Sequence, residues 1–193
     1  MCSISNQKKV LRSQVRTTLR SLPAHYKASQ SNVVCQQLSA DIAHSARTSV
    51  MLYMALPDEL SLDSLISSLQ SSCPQKKIYL PVMHGQDIVP HLFTSRSDIV
   101  VESQYGIAEP RYTPTFDISC ASDLIVVVPG LAFDACGHRL GRGKGFYDHF
   151  LAQVPTALTL GVCFDCQLVP SIPIDAFDYP VSRVYCPQLI HSA

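Results

Sequence analysis

Leu11, Val15, Leu19 and Leu22 recur at the three-to-four-residue spacing of one helix face and predict an amphipathic helix over roughly 5–21. Pro23 bars its simple continuation. Val34, Leu38 and Ile42 predict a second helix running to about Ser45. The period then changes. Val50-Met-Leu-Tyr-Met-Ala-Leu56 is almost continuously apolar, the pattern of a strand buried on both faces, and Asp58 and Glu59 follow its C-terminal end. Leu62, Leu65, Ile66 and Leu69 predict a helix, Lys77 to Met83 a strand, and Ile88 to Phe93 a shorter strand. From Ser95 to Ile118 the chain should be irregular, punctuated by Pro110 and Pro114. Leu124 to Val128 is the clearest strand pattern, followed by Ala157 to Phe164. Between them lie a glycine-rich loop and a helix containing Tyr147, Phe150 and Leu151.

Strands alternating with helices predict one α/β domain over residues 1–193, a largely parallel sheet with helices on both faces. Such sheets bind ligands at the C-terminal ends of their strands. Three places qualify: Pro57-Asp58-Glu59, the loop after Pro129, and the segment after Phe164.

Fifteen basic and fifteen acidic residues balance, which argues against nucleic acid or an anionic bilayer as partner. No apolar run follows a basic head at the start, and none approaches the roughly 20 residues a membrane span requires. A cytoplasmic location is expected, and a monomer. The eight cysteines lie mostly in apolar strands and helices, so reduced thiols are expected. Cys163-Phe-Asp-Cys166 has the spacing of a metal or redox pair, but it closes an apolar strand instead of opening a helix and lacks a second ligand pair.

The loop carries the chemistry. Gly137, Gly141, Gly143 and Gly145 fall within nine residues, interleaved with Arg139, Arg142 and Lys144, and a helix begins at about the last glycine. Glycines let backbone N–H groups approach an anion, and a helix N-terminus adds partial positive charge. Three cationic side chains then suit several phosphate oxygens. The alternative is a surface turn whose basic residues face water. Neither the Walker A spacing nor the dinucleotide pattern is met, because Gly145 and Phe146 stand where those fingerprints need other residues. Asp148, one turn into the helix, suits a Mg²⁺ ligand or a helix-dipole partner.

Arg139-Leu-Gly-Arg-Gly-Lys-Gly-Phe-Tyr-Asp148, after Pro129-Gly-Leu-Ala-Phe-Asp134, closely resembles the signature of the 5-formyltetrahydrofolate cyclo-ligase (5,10-methenyltetrahydrofolate synthetase) family. Lys8-Lys-Val-Leu-Arg12, Tyr53-Met-Ala-Leu-Pro-Asp-Glu59, Leu80-Pro81-Val82 and Glu109-Pro110 extend the likeness in the right order. The resemblance implies that Lys8 and Arg12 hold ATP together with Arg139, Leu140, Gly141, Arg142, Gly143, Lys144, Gly145, Phe146 and Tyr147. It places the folate against Met54, Glu59 and the loop from Arg142 to Phe146. It gives Mg²⁺ to Asp148 and to a second aspartate, Asp178, with Asp175 as a neighbouring candidate. Phe146 departs from the family's usual Tyr, and the segment from Ile174 onward matches loosely.

The implied reaction is ATP-dependent cyclisation. The formyl oxygen on N5 takes the γ-phosphoryl group, N10 closes the ring, and phosphate leaves. Arg142 and Lys144 are the candidates for stabilising the moving phosphoryl group, and no covalent protein nucleophile is required. Two other readings of an α/β chain are a non-catalytic phosphometabolite-binding module and a sugar-phosphate isomerase or acyl-transfer enzyme using Glu59.

Overall fold

The computed structural model describes residues 3–100, 109–110, 113–187 and 189–192, the last four by backbone alone. Cys2 and part of the 95–118 stretch expected to be irregular lie outside these residues. Ser3 caps α1 (Ile4–Ser21), its hydroxyl accepting the Asn6 N–H at 3.3 Å. Pro23, in extended conformation, leads into α2 (Ala24–His44). The apolar stripes face inward as expected, with Val15, Leu19, Val34, Leu38 and Ile42 all buried.

β1 (Ser49–Met51) is shorter than the apolar run that predicts it. Leu52 N–H still reaches Tyr79 O at 2.9 Å, and Leu52 and Tyr53 are buried, but the chain then leaves the sheet. The Tyr53 hydroxyl donates to Leu60 O at 2.8 Å and folds this segment back on itself. Burial alone produced the apolar run, and burial does not separate a strand from a packed connection.

α3 (Asp63–Ser72) crosses to β2 (Lys77–His84), which turns back antiparallel into β3 (Asp87–Leu92). The short strands β4 (Ile99–Val100) and β5 (Glu109–Pro110) pair with each other. β6 (Leu124–Pro129) returns to the centre and is followed by the hairpin β7 (Ala132–Phe133) and β8 (Arg139–Leu140), α4 (Phe146–Gln153) and β9 (Leu158–Val162). β10 (Arg183–Cys186) and β11 (Leu189–Ser192) follow.

The seven-stranded sheet runs β11-β10-β9-β6-β1-β2-β3, parallel through its five central strands and antiparallel at each edge. Side chains alternate across it. Val50, Ile125, Val127 and Leu160 face the core shared with α1, α2 and α3. Met51, Leu124, Val126 and Val128 face the core that holds Phe150 and Leu151 of α4. Helices thus cover both faces. Each wholly buried Leu or Val contributes about 2 kcal/mol of hydrophobic stabilisation.

From β1 the chain steps to β2 on one side, and later to β6 on the other. The connections therefore diverge at the C-terminal ends of β1 and β6, where open sheets form a crevice. The opposite end is tied shut: Arg47 Nη1 donates to the carbonyls of Ser122, Leu124 and Thr156, while Asp123 accepts from Thr48 and Ser49. Among the described residues no helix is long and apolar enough to cross a membrane.

Candidate active site

Pro129 ends β6 at the crevice. At Gly130 a Cβ would stand 2.7 Å from the Phe133 ring, so the backbone hugs the β7–β8 hairpin. Asp134 fixes that hairpin by accepting the N–H groups of Cys136, His138 and Ile172, each at 3.0 Å, together with His138 Nδ1. Asp134, Cys136 and His138 bring possible ligand atoms within 4.8 Å of one another, but the carboxylate is already committed to these bonds. It organises a turn.

Beyond β8 the chain enters the glycine loop. Gly143 (φ 103°) and Gly145 (φ 73°) lie in the left-handed region, and Gly145 caps α4. The first turn of α4 therefore opens beside a cavity of about 280 Å³. Its apolar wall includes Tyr53, Met54, Leu56, Pro81, Met83, Ile88 and Phe146; its polar wall includes Glu59, Arg139, Arg142, Lys144 and Asp148.

Each arginine of the loop holds a carboxylate. Arg139, almost fully buried, donates from Nη2 to Asp148 Oδ1 at 2.8 Å and from Nη1 to Pro129 O at 3.3 Å, and lies over the Tyr147 ring. Its buried Nε has no partner among the described residues. Arg142 donates from Nε to Glu59 Oε1 at 3.0 Å and from Nη2 to Asp58 Oδ1 at 2.5 Å. Burial alone would raise the Asp58 carboxyl, but the Arg142 guanidinium outweighs it and holds Asp58 below the usual carboxylate range. Glu59 Oε2 accepts the Leu56 N–H at 3.0 Å. Burial, reinforced by the Glu59 charge, pushes the Tyr147 phenol far up and keeps it protonated.

Lys8 and Arg12 leave one face of α1, as their spacing predicts, and stand behind the loop. Arg12 Nε donates to Gly141 O at 2.9 Å. Lys8 Nζ bridges Asp175 (2.7 Å) and Asp178 (2.5 Å). Burial alone would lower the Lys8 ammonium; the two carboxylates override it and raise it.

The backbone next to Asp178 comes up to Asp148, the Tyr179 N–H reaching Asp148 Oδ1 at 3.4 Å. Asp178 is the more enclosed of the two C-terminal candidates, 20% exposed against 44% for Asp175. Leu140 is different: its side chain is in the core and its carbonyl accepts the Leu131 N–H, so it shapes the hairpin. His149 pairs with Asp87 on β3, away from the loop. Cys163 is buried and its thiol is pushed well up by that burial, which disarms it as a nucleophile.

Asp58 falls at the strand end that the sequence offers as a ligand site, and Gly130 in the loop after Pro129, but neither is singled out there as a site residue. Pro81 appears only as part of the family likeness, and Met83 and Ile88 carry no local signal, because only the strand order brings β2 and β3 beside β1.

The 5-formyltetrahydrofolate cyclo-ligase family model matches residues 4–187. The 5-formyltetrahydrofolate cyclo-ligase of Haemophilus influenzae is 30% identical, over 88% of this chain and 94% of its own. That of Escherichia coli is 31% identical over 73% of this chain and 79% of its own. The NMR structure of Aquifex aeolicus 5,10-methenyltetrahydrofolate synthetase superposes with a TM-score of 0.81 at 27% identity, covering 96% of this chain and 92% of that one.

Proposed function

Because the chain belongs to the 5-formyltetrahydrofolate cyclo-ligase family, we propose that it cyclises 5-formyltetrahydrofolate to 5,10-methenyltetrahydrofolate with conversion of ATP to ADP and phosphate. One observation carries this reading to the residues. A cation-rich glycine loop and an enclosed carboxylate, Glu59, line one apolar cavity at the sheet's divergence point and meet there through Arg142.

The two sides have complementary tasks. Met54, Leu56, Pro81 and Met83 offer an apolar slot for a flat ring, and Glu59 offers oxygens to adjacent ring N–H donors. Gly141 to Gly145, with the first turn of α4, offers backbone donors and positive potential to a triphosphate. Lys144 is exposed on the loop and Arg142 stands between the two sides, so both are placed to offset charge as the γ-phosphoryl group moves to the formyl oxygen. N10 then attacks the activated carbon and phosphate leaves. The protein acts by holding reactants in line; its buried thiols take no part.

A magnesium ion suits the donor set at the rim. The bonds made by Asp148 engage Oδ1 and those made by Asp178 engage Oδ2, one oxygen of each hard carboxylate. Asp148 and Asp178 would hold Mg²⁺ there, and the ion would supply positive charge to offset that of the phosphates. The reading is of a cytoplasmic monomer working on small molecules, with no nucleic-acid partner, in keeping with the balanced charge.

Incubating the protein with 5-formyltetrahydrofolate and MgATP, while following the near-ultraviolet absorbance of the methenyl product, tests it. An ATP-dependent rise is expected. Nucleotide uptake without that rise would instead make the chain a binding module.

A further inference from the structure

Asp58, which touches the cavity wall through Arg142, is a carboxylate that the family resemblance leaves without a task. It lies in the turn between β1 and α3, and it shares Arg142 with Glu59. The guanidinium fork straddles the pair: Nε and Nη2 both lie 3.0 Å from Glu59 Oε1, while Nη2 also donates to Asp58 Oδ1 at 2.5 Å. Lys27, whose Nζ donates to Pro57 O at 3.2 Å, adds a second positive charge near Asp58. Glu59 is the more enclosed acid, 11% exposed against 28% for Asp58.

This arrangement sets up a competition. A ring presenting adjacent N–H donors to both oxygens of Glu59 must displace Arg142 from Oε1, where two guanidinium nitrogens converge, while Oε2 can accept a ring N–H beside that of Leu56. Two parallel N–H···O bonds from a guanidinium to one carboxylate are the strongest form of this pair. Here Nε and Nη2 converge on the single Oε1 instead, Oε2 accepts the Leu56 N–H, and Asp58 shares Nη2, so the parallel two-oxygen form is not made.

We propose that Asp58 is a positioning residue: it anchors Arg142 at the cavity wall so that the Glu59 carboxylate can be taken by the ring of the folate substrate. The inference rests on the functional reading above and deepens it. When the ring arrives, Nε is released and Nη2 stays on Asp58, so Arg142 remains beside the phosphoryl path. With Asp58 neutralised, Arg142 pairs with Glu59 alone, and the ring meets an acceptor already locked.

Calorimetric titration of 5-formyltetrahydrofolate into four proteins tests this: unaltered, Asp58→Asn, Arg142→Gln and the double variant, each first checked for a cooperative thermal melt. Asp58→Asn should weaken uptake by roughly tenfold or more, as expected for strengthening one charge-assisted pair. In the Arg142→Gln background the same change should shift affinity less than about twofold, because the locking partner is gone. Asp58→Glu, which keeps the charge, should recover most of the loss. Unchanged affinity in Asp58→Asn, or equal weakening in both backgrounds, overturns the proposal. Failure of the unaltered protein to take up the folate at all would instead remove the functional reading beneath it.

Discussion

Lys8 and Asp178, separated by 170 positions in the chain, meet at 2.5 Å. The contact joins the first helix to the segment between β9 and β10, and Asp175 joins the same ammonium at 2.7 Å. One buried cation therefore fixes the geometry of the Asp178 carboxylate. It also sets Arg12, one helical turn on, behind Gly141.

Lys8→Ala leaves Asp178, a mostly enclosed carboxylate, without its partner. A loss of about 1–2 kcal/mol in urea denaturation is expected, discounted from a fully buried pair because Asp175 reaches solvent. Turnover should fall further than stability does, since the rim carboxylates lose their fixed position. Lys8→Arg should recover stability better than turnover.

The same contact has a defined pH window. The Lys8 ammonium is raised by its two carboxylates, so its contribution is complete below the ordinary lysine value and fades only as pH climbs through the higher folded value. Asp175 is held low by hydrogen bonds from Lys8 and from the Phe177 N–H, so its contribution is present above the ordinary carboxylate value and fades as pH falls through the lower folded one. This pair should therefore contribute uniformly from about pH 5 to about pH 10. Thermal melts of the protein and of Lys8→Ala across that range should stay parallel; convergence near neutrality would contradict the assignment.

Asp148 holds Arg139 and, on the reading proposed above, a divalent ion; two substitutions separate these roles. Asp148→Ala strands Arg139, which is only 4% exposed, and should lower stability by about 3 kcal/mol. Asp148→Asn retains an acceptor for Arg139 and should melt closer to the unaltered protein. Both should reduce turnover by at least about a hundredfold, because neither supplies a charged oxygen to a divalent ion. Lys144→Ala, on the exposed loop, should cut turnover to a similar extent with an unshifted melt.

Gly145→Ala places a Cβ at φ 73° in the residue that caps α4. There is open space around it, so the effect is backbone strain of about 1 kcal/mol. The strain tilts the first turn of α4 away from the loop. A modest drop in melting temperature with a larger rise in the KM for MgATP is the expected pattern.

Much of this architecture is legible in the chain because burial and periodicity agree. The amphipathic stripe of α1, the run Leu124 to Val128 and the crossover helices all fall where spacing predicts. The site's cations are legible too, since Arg139, Arg142 and Lys144 are interleaved with closely spaced glycines ahead of a helix. Three things were hidden. The end of β1 was masked because Leu52 and Tyr53 are as buried outside the sheet as Met51 is within it. Pro81, Met83 and Ile88 reach the cavity only because β2 and β3 lie beside β1, an order that no local pattern encodes. Leu140 bears the family's loop signature yet points into the core, since a motif records identity and not the direction of a side chain.

The carboxylates already seated on Arg139, Arg142 and Lys8 decide which visitors the loop admits. A stray orthophosphate or chloride gains little by entering, because each cation is held by a tethered rival whose local concentration far exceeds that of a free ion. A ligand that engages several of these cations together, while its companion occupies Glu59, dislodges the rivals as a group. On the reading proposed above, selection against small anions at these three cations is built into the resting protein, before any reactant arrives.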